Sequence, residues 1–182
     1  MDILEREVPI TEENPEKSKK GLYKIKDNYI RFWFAFVYPN MSFIESGNSG
    51  IVMKKIRSSL VSGHIAFVYE DVCRERMWEL NGEDRWPFHF SKIGRWWDGK
   101  NEIDIAAIDP DGKNLILGEC KFWHEPVGVN IFNDLVEKSK SVTWKKADRH
   151  TWYVLFSAEG ITDELKTLAQ SRDDLLLFDD IN

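Results

Sequence analysis

Two apolar segments, at residues 102–108 and 115–122, constrain the fold of this chain more than any other feature. Both are short, rich in Ile, Leu and Ala, and too brief for typical helices. The dipeptide Asp111-Gly112 between them is typical of a hairpin turn. The sequence therefore predicts two neighbouring antiparallel strands at the centre of a sheet.

Each of these segments also carries charged residues. Glu102 and Asp104 share one face of the first predicted strand, and Glu119 and Lys121 share one face of the second, because strand side chains repeat every two residues. A strand in a covered sheet is normally a continuous apolar run. Burying an ion without a compensating partner costs roughly several kcal/mol of folding free energy. Something must therefore balance these charges.

The remaining pattern predicts an α/β protein with a mixed sheet flanked by helices. An N-terminal extension is placed at residues 1–50 and the main domain at residues 51–182. The extension is expected to hold a short strand, an aromatic helix that ends before Pro39, and a loop or linker at 40–50. The domain is predicted to contain helices at 63–80, 130–144 and 162–170 and further strands at 88–97, 151–157 and 175–178.

Composition excludes several classes of protein. The 182 residues carry a formal net charge of -6, so the overall basic field typical of a dedicated nucleic-acid binder is missing. The two cysteines, Cys73 and Cys120, form no CxxC pair and indicate neither a disulfide framework nor a zinc site. No signal peptide or membrane-spanning run is recognised, which predicts a cytoplasmic protein without a membrane partner.

A divalent metal is one way to compensate the charges on the two central strands. Asp104 and Glu119 offer the hard oxygen ligands that suit Mg²⁺ or Mn²⁺. Lys121 would then act catalytically, by orienting or activating a water or by stabilising charge on a scissile phosphate. An Asp followed by Glu-x-Lys on the next strand is the PD-(D/E)XK nuclease pattern. The alternative, an ordinary ion pair at a strand end, stays open.

The predicted order of a helix, a three-strand meander and a second helix is that of the restriction-endonuclease-like fold. This core often adds a carboxylate from the preceding helix. Glu70 is our candidate for this third metal ligand, with Asp71 as the alternative.

The chain also resembles a known family. Several of its segments are similar to the domain of unknown function at the C-terminus of archaeal AAA-type ATPases, which looks like a member of the PD-(D/E)XK nuclease superfamily. The resemblance implies Glu70, Asp104, Glu119 and Lys121 as the site, and an ATPase region as a partner. The segments that carry it are 63–75, 93–98, 102–106 and 118–121, with 4–9 and 20–33 resembling the junction that follows the ATPase's winged helix.

Aromatic and basic residues near the predicted site are candidates for substrate binding. Arg95 and Trp97 are suited to phosphate and base contacts, although alternation favours one of Trp96 and Trp97 packing in the core and the other covering a rim. Lys145 and Lys146 lie in a basic stretch that is a further candidate for phosphate contacts, or an ordinary solvated surface.

Residues 94–100 fit the first seven positions of a phosphate-binding GxxxxGK loop. However, Asn101 replaces the Ser or Thr that binds Mg²⁺, and a strand follows instead of a helix. The sequence therefore contains no ATPase motif of this kind.

Two functions follow from these observations. The first is a nuclease-like domain, dependent on Mg²⁺ or Mn²⁺, that hydrolyses DNA phosphodiesters and is associated with an archaeal ATPase. The second is a non-catalytic module that binds DNA or protein and retains the nuclease fold as a relic. Because nucleases that cut both strands often pair two sites, a homodimer is also considered.

Overall fold

A five-stranded mixed sheet flanked by helices forms the centre of the computed structural model, which describes residues 3–179. Residues 1–2, at the start of the predicted N-terminal extension, and residues 180–182, at the end of the predicted main domain, lie outside the described part. The elements in chain order are β1 (Leu4–Glu7), β2 (Leu22–Ile25), α1 (Asn28–Phe32), α2 (Met41–Glu45), α3 (Ser49–Leu60), α4 (Ala66–Gly82), β3 (Lys92–Trp97), β4 (Glu102–Ile108), β5 (Asn114–Lys121), α5 (Val129–Ser139), β6 (His150–Ser157), α6 (Asp163–Gln170) and β7 (Leu175–Phe178).

The sheet has the spatial order β3-β4-β5-β6-β7. β3, β4 and β5 form an antiparallel meander, whereas β5, β6 and β7 are parallel and are connected through α5 and α6. This arrangement confirms the predicted mixed α/β sheet.

The glycines of the two meander turns, Gly99 and Gly112, have φ values of 89° and 68°, in the region that glycine adopts without a steric penalty. Residues 94–100 run through β3 and its turn, so they do not form a phosphate-binding loop.

The core consists of two apolar layers, one on each face of the sheet. The layer beneath α5 and α6 contains strand residues such as Ala106 and Leu117 together with Leu135 of α5. The layer beneath α4 contains Ile105 and Cys73, among others. Because both faces are covered, any charged side chain on the central strands must find its partners within the protein.

α3 and α4 are joined by a π-helical segment, Val61–Ile65, where the sequence predicts a helix only from residue 63. The predicted loop at 40–50 was wrong in part, because α2 lies within it and α3 begins at Ser49. Tertiary contacts explain the difference: Val52 is buried, and Lys55 Nζ donates a hydrogen bond to Asn40 Oδ1 at 3.0 Å. These contacts override the weak helix propensity of the Asn, Ser and Gly residues.

The N-terminal residues pack along the free edge of the sheet. β1 and β2 form an antiparallel hairpin, and the Ile10 N–H donates to the Arg95 carbonyl of edge strand β3 at 3.0 Å. The Trp97 indole donates to the Lys20 carbonyl at 3.2 Å. The predicted aromatic helix is present as α1 and a π-helical continuation, Trp33–Val37, ahead of Pro39. The edge of β3 is therefore shielded by this chain's own N-terminal segment.

None of the helices in the described part of the chain has the length and apolar character needed to cross a membrane.

Candidate active site

The candidate site lies where β4 and β5 stop pairing. Their backbone ladder extends from Ile108↔Leu115 to Ile105↔Gly118. One residue further on, the Asp104 side chain replaces a ladder partner, because its Oδ2 accepts a hydrogen bond from the Cys120 N–H at 2.9 Å. The local pattern of the two strands thus separates their backbones and fixes a carboxylate between them.

Glu119 is the most deeply buried charge of the site. Its side chain is 3% exposed, and both of its oxygens accept hydrogen bonds from ammonium groups. Lys121 Nζ lies 2.6 Å from Oε2, and Lys138 Nζ of α5 lies 2.6 Å from Oε1. Charge-assisted bonds on both oxygens offset the cost of burying this carboxylate.

Asp104 shares the Lys121 ammonium with Glu119. Burial raises the pKa of Asp104, and the Glu119 carboxylate raises it further, while Lys121 at 3.9 Å from Oδ2 acts in the opposite direction. The Glu119 charge thus disfavours the ionised form of Asp104, and a cation beside the two carboxylates would relieve that repulsion. Asp104 and Glu119 are thus brought together as the sequence predicts.

Lys121 is held as an ammonium by its carboxylate neighbours. Burial pulls its pKa down, but the charges of Glu119 and Asp104 outweigh burial and the net pKa is raised. Its Nζ also lies 5.5 Å from the ring centre of Trp123, within cation–π range. At neutral pH Lys121 is therefore a hydrogen-bond donor and a positive charge, not a base.

Glu70 lies on α4, which covers the sheet layer that contains Ile105, whereas the Glu119 carboxylate bonds Lys138 of α5 on the other side of the sheet. The Glu70 carboxylate lies between two guanidinium groups, with its Oε2 at 3.6 Å from Arg95 Nε and 3.8 Å from Arg74 Nη1. Burial, followed by the Asp104 charge, raises the pKa of Glu70 to about 7 despite these arginines.

Asp71, the alternative third ligand, is paired with basic side chains. It bonds Arg74 Nη2 at 2.5 Å and lies near Arg31 and Lys24. Within residues 3–179, no group of three or more His, Cys, Asp or Glu side chains is arranged to hold a metal ion. The third ligand therefore stays a prediction.

The fit of a divalent cation rests on Asp104 and Glu119 alone. Mg²⁺ usually keeps several of its waters and binds through one or two carboxylates, together with substrate phosphates. The two carboxylates of Asp104 and Glu119, which share the Lys121 ammonium, meet that requirement, and a third protein ligand is not essential. The residues present thus fit a hydrated Mg²⁺ or Mn²⁺ ion.

The predicted substrate residues are distributed unevenly around this site. Arg95 lies on β3 near Asp104, but its guanidinium already contacts Glu7, Glu70 and Glu102. Trp96 is buried in the core and Trp97 lies at its margin, as alternation predicts.

Lys145 lies against Gly112 in the β4–β5 turn, at the opposite end of both strands from the site. Lys146 donates to the Lys140 carbonyl at 2.6 Å. The structure thus leaves Lys145 away from the carboxylate pair, because the two strands run from the turn to the site.

Two residues near the carboxylate pair are missed by the sequence interpretation. Lys138 shares a helix face with Leu135 and Ile131, at spacings of three and seven residues, so this helical pattern carried a signal for a partly buried lysine. Trp123 lies two residues after the end of β5 and is 46% exposed beside Lys121. An aromatic residue two positions after a predicted catalytic lysine was the corresponding signal.

Comparison with solved structures finds limited similarity to nucleases. A repair endonuclease from Pyrococcus abyssi matches with 16% identity over 58% of this chain and 45% of that chain, at a TM-score of 0.36. An EndoMS–dsDNA2 complex matches with 17% identity over 57% of this chain and 44% of that chain, at a TM-score of 0.30.

Comparison of sequences finds closer relationships. An uncharacterized protein of Methanocaldococcus jannaschii is 37% identical over 182 residues, which is 98% of this chain and 38% of that relative. This chain thus spans well under half the length of the curated relative that it matches. Residues 33–140, more than half of the chain, match the DUF234 family, described as Archaea bacterial proteins of unknown function. The chain therefore belongs to the DUF234 family.

Proposed function

We propose that this protein is a nuclease-like enzyme that hydrolyses DNA phosphodiesters with Mg²⁺ or Mn²⁺ bound by Asp104 and Glu119. The observation that carries the proposal is the convergence of two carboxylates and Lys121 at the point where β4 and β5 separate. Such a set of charges on covered strands serves no need of packing, because burying it is costly.

Each side chain has a distinct task in the proposed reaction. Asp104 and Glu119 would hold the cation, which when bound supplies Lewis-acid polarisation of the phosphate and a more acidic water. The hydrogen bond from the Cys120 N–H keeps the Asp104 carboxylate aimed between the strands. Lys121, as an ammonium, would donate to a phosphate oxygen and stabilise the negative charge that grows there.

Trp123 supports a nucleic-acid substrate. Its exposed ring lies beside Lys121, so a base stacked on the ring would place its phosphate near the ammonium. This geometry favours a substrate with an unstacked base, such as a single-stranded or branched DNA.

The proposal is tested by incubating plasmid, single-stranded and branched DNA with the protein and Mn²⁺. We expect cleavage that Asp104→Asn and Glu119→Gln each reduce by about a hundredfold or more, the scale of losing one preorganised charge-stabilising group. Glu137→Gln, an exposed change on α5, is the matched control and should cleave like the wild type. An intact set of all three substrates in Mn²⁺ would reject the enzyme.

A second candidate function is a non-catalytic DNA- or protein-binding module. The observation that favours it is the charge balance of the site's own side chains, since Lys121 and Lys138 satisfy Glu119 and two arginines lie near Glu70. Metal titration separates the two candidates, because only a working cation site should raise the melting temperature at millimolar Mn²⁺ in a manner that Glu119→Gln abolishes.

We also infer that an archaeal AAA-type ATPase region is the partner of this domain. The support is the resemblance of its segments to such a domain, together with the length of the matched relative, most of which lies outside the aligned region.

Pairing of two copies for double-strand cleavage is a further part of the proposal. Light scattering of the purified chain, alone and with DNA, tests it.

A further inference from the structure

The Lys138 ammonium bonds a Glu119 oxygen that a bound cation would need as a ligand. Its ammonium lies 2.6 Å from Glu119 Oε1, while Lys121 occupies Oε2 at the same distance. Because both oxygens of this buried carboxylate are occupied, a divalent cation can bind Glu119 directly only if one ammonium moves away.

The two lysines differ in how firmly they are held. Lys121 projects from β5 and has a second carboxylate, Asp104, at 3.9 Å, as well as the Trp123 ring at 5.5 Å. Among the residues that the structure describes, Glu119 is the one acidic side chain within ion-pair distance of Lys138. Lys138 is also the more exposed, at 31% against 20%, and lies in the last turn of α5. Its flexible stem lets the ammonium reach solvent without a change in the backbone.

We propose that Lys138 is an internal competitor of the metal: its ammonium occupies Glu119 Oε1 in the resting site and is displaced when a divalent cation binds. This inference rests on the proposed function, since it concerns the same cation. It assigns Lys138 as a positioning residue that keeps the buried carboxylate satisfied and the site closed to cations at low concentration.

The exchange accounts for the charges at each stage. In the resting state two ammonium groups neutralise Glu119 and part of the Asp104 charge. A divalent cation brings two positive charges to the same carboxylates, so an ammonium that stayed would be repelled. The released Lys138 would remain at the mouth of the site on its flexible stem.

Isothermal titration of the metal-free protein with MnCl₂ tests the inference without any activity assay. We expect Lys138→Met to bind Mn²⁺ about tenfold to a hundredfold more tightly than the wild type, the range set by losing one competing hydrogen bond to a charged group. Lys138→Arg retains the competing charge and should bind within about threefold of the wild type. Lys140→Met removes an exposed lysine that pairs with Glu137 on the same helix, and should leave the affinity unchanged.

The melting temperature gives a second readout. Without metal, Lys138→Met should melt below the wild type, because Glu119 loses one of its two partners, and saturating Mn²⁺ should remove that deficit. If Lys138→Met does not fold, Lys138→Gln keeps a neutral hydrogen-bond donor on Oε1 and carries the same expectation of tighter binding.

The outcomes separate this inference from the function on which it rests. If the wild type binds Mn²⁺, and the Lys138→Met and Lys138→Gln variants bind it equally or more weakly, Lys138 does not compete with the metal. The proposed cation site would be unaffected by that result. No binding by the wild type or by either variant at millimolar Mn²⁺ would overturn the cation site itself, and the competitor with it. Binding by the variants but not by the wild type would support the competitor.

Discussion

The buried carboxyl group of Glu70 makes the pH dependence of stability a sensitive test of the site's electrostatics. Its pKa is raised from an ordinary 4.5 to about 7, mainly by burial, with Asp104 adding to the rise and Arg95 and Arg74 opposing it. One oxygen, Oε2, has no hydrogen-bond partner. Replacing Glu70 with Gln keeps the shape of the protonated acid and removes the titration.

The sign of the effect follows from proton binding. Below pH 4.5 Glu70 is protonated in both folded and unfolded chains, so its contribution to stability is fully present. Between pH 4.5 and about 7 the unfolded chain loses this proton first, and folding then requires proton uptake. Wild-type stability relative to Glu70→Gln should therefore fall across this window by up to about 3 kcal/mol, at about 1.4 kcal/mol for each pH unit that separates the two pKa values.

Urea unfolding followed by circular dichroism, in chelator at half-unit steps from pH 4.5 to 8, measures this difference. Glu137→Gln, an exposed change, should give a curve parallel to that of the wild type. A wild-type advantage that stays constant or grows with pH would refute the reasoning, since it would mean that Arg74 and Arg95 hold Glu70 ionised. Repeating the series in Mn²⁺ tests Glu70 as the third ligand, because a ligand would lose its raised pKa when metal binds.

Three further changes have specific expected outcomes. Gly118→Ala places a Cβ 2.5 Å from Val154 Cγ1 and 3.1 Å from its carbonyl oxygen, and should lower the free energy of unfolding in urea by about 1–3 kcal/mol; an unchanged value would contradict this packing. Trp123→Ala should weaken binding of single-stranded DNA by about tenfold in fluorescence anisotropy, the scale of losing one stacked base, whereas Trp78→Ala, equally exposed at 46%, should not. Thr162→Ala removes the N-cap of α6 and should cost about 1 kcal/mol in thermal unfolding, and an unchanged melting temperature would count against the cap.

The carboxylate pair was predictable because it depends on local rules. Asp104 and Glu119 lie on consecutive strands joined by a tight turn, so antiparallel pairing suffices to bring them to the same end of the two strands, where both lie near Lys121. The same rules explain why the bounds of β4 and β7 agree with the predicted strands.

The parts that were not predicted depend on how separate elements pack. The local sequence does not indicate which face of the sheet α4 covers, and that packing places the Glu70 carboxylate near Arg74 and Arg95. Likewise, α2 and α3 form in a stretch of weak helix formers because tertiary contacts stabilise them: α3 packs against the aromatic segment Trp33–Val37, and its Val52 is buried. Lys138 was predictable only in part. The helical pattern predicts which face of α5 it shares, but no local pattern predicts that it pairs with Glu119.

Diffraction from crystals soaked in MnCl₂, recorded at a wavelength where manganese scatters anomalously, tests the central claim most directly. The account predicts one anomalous peak bonded to carboxylate oxygens of both Asp104 and Glu119, with the Lys138 ammonium moved off Glu119 Oε1. Crystals at millimolar Mn²⁺ that show no peak between these carboxylates, with both lysines still bonded to Glu119, would contradict it.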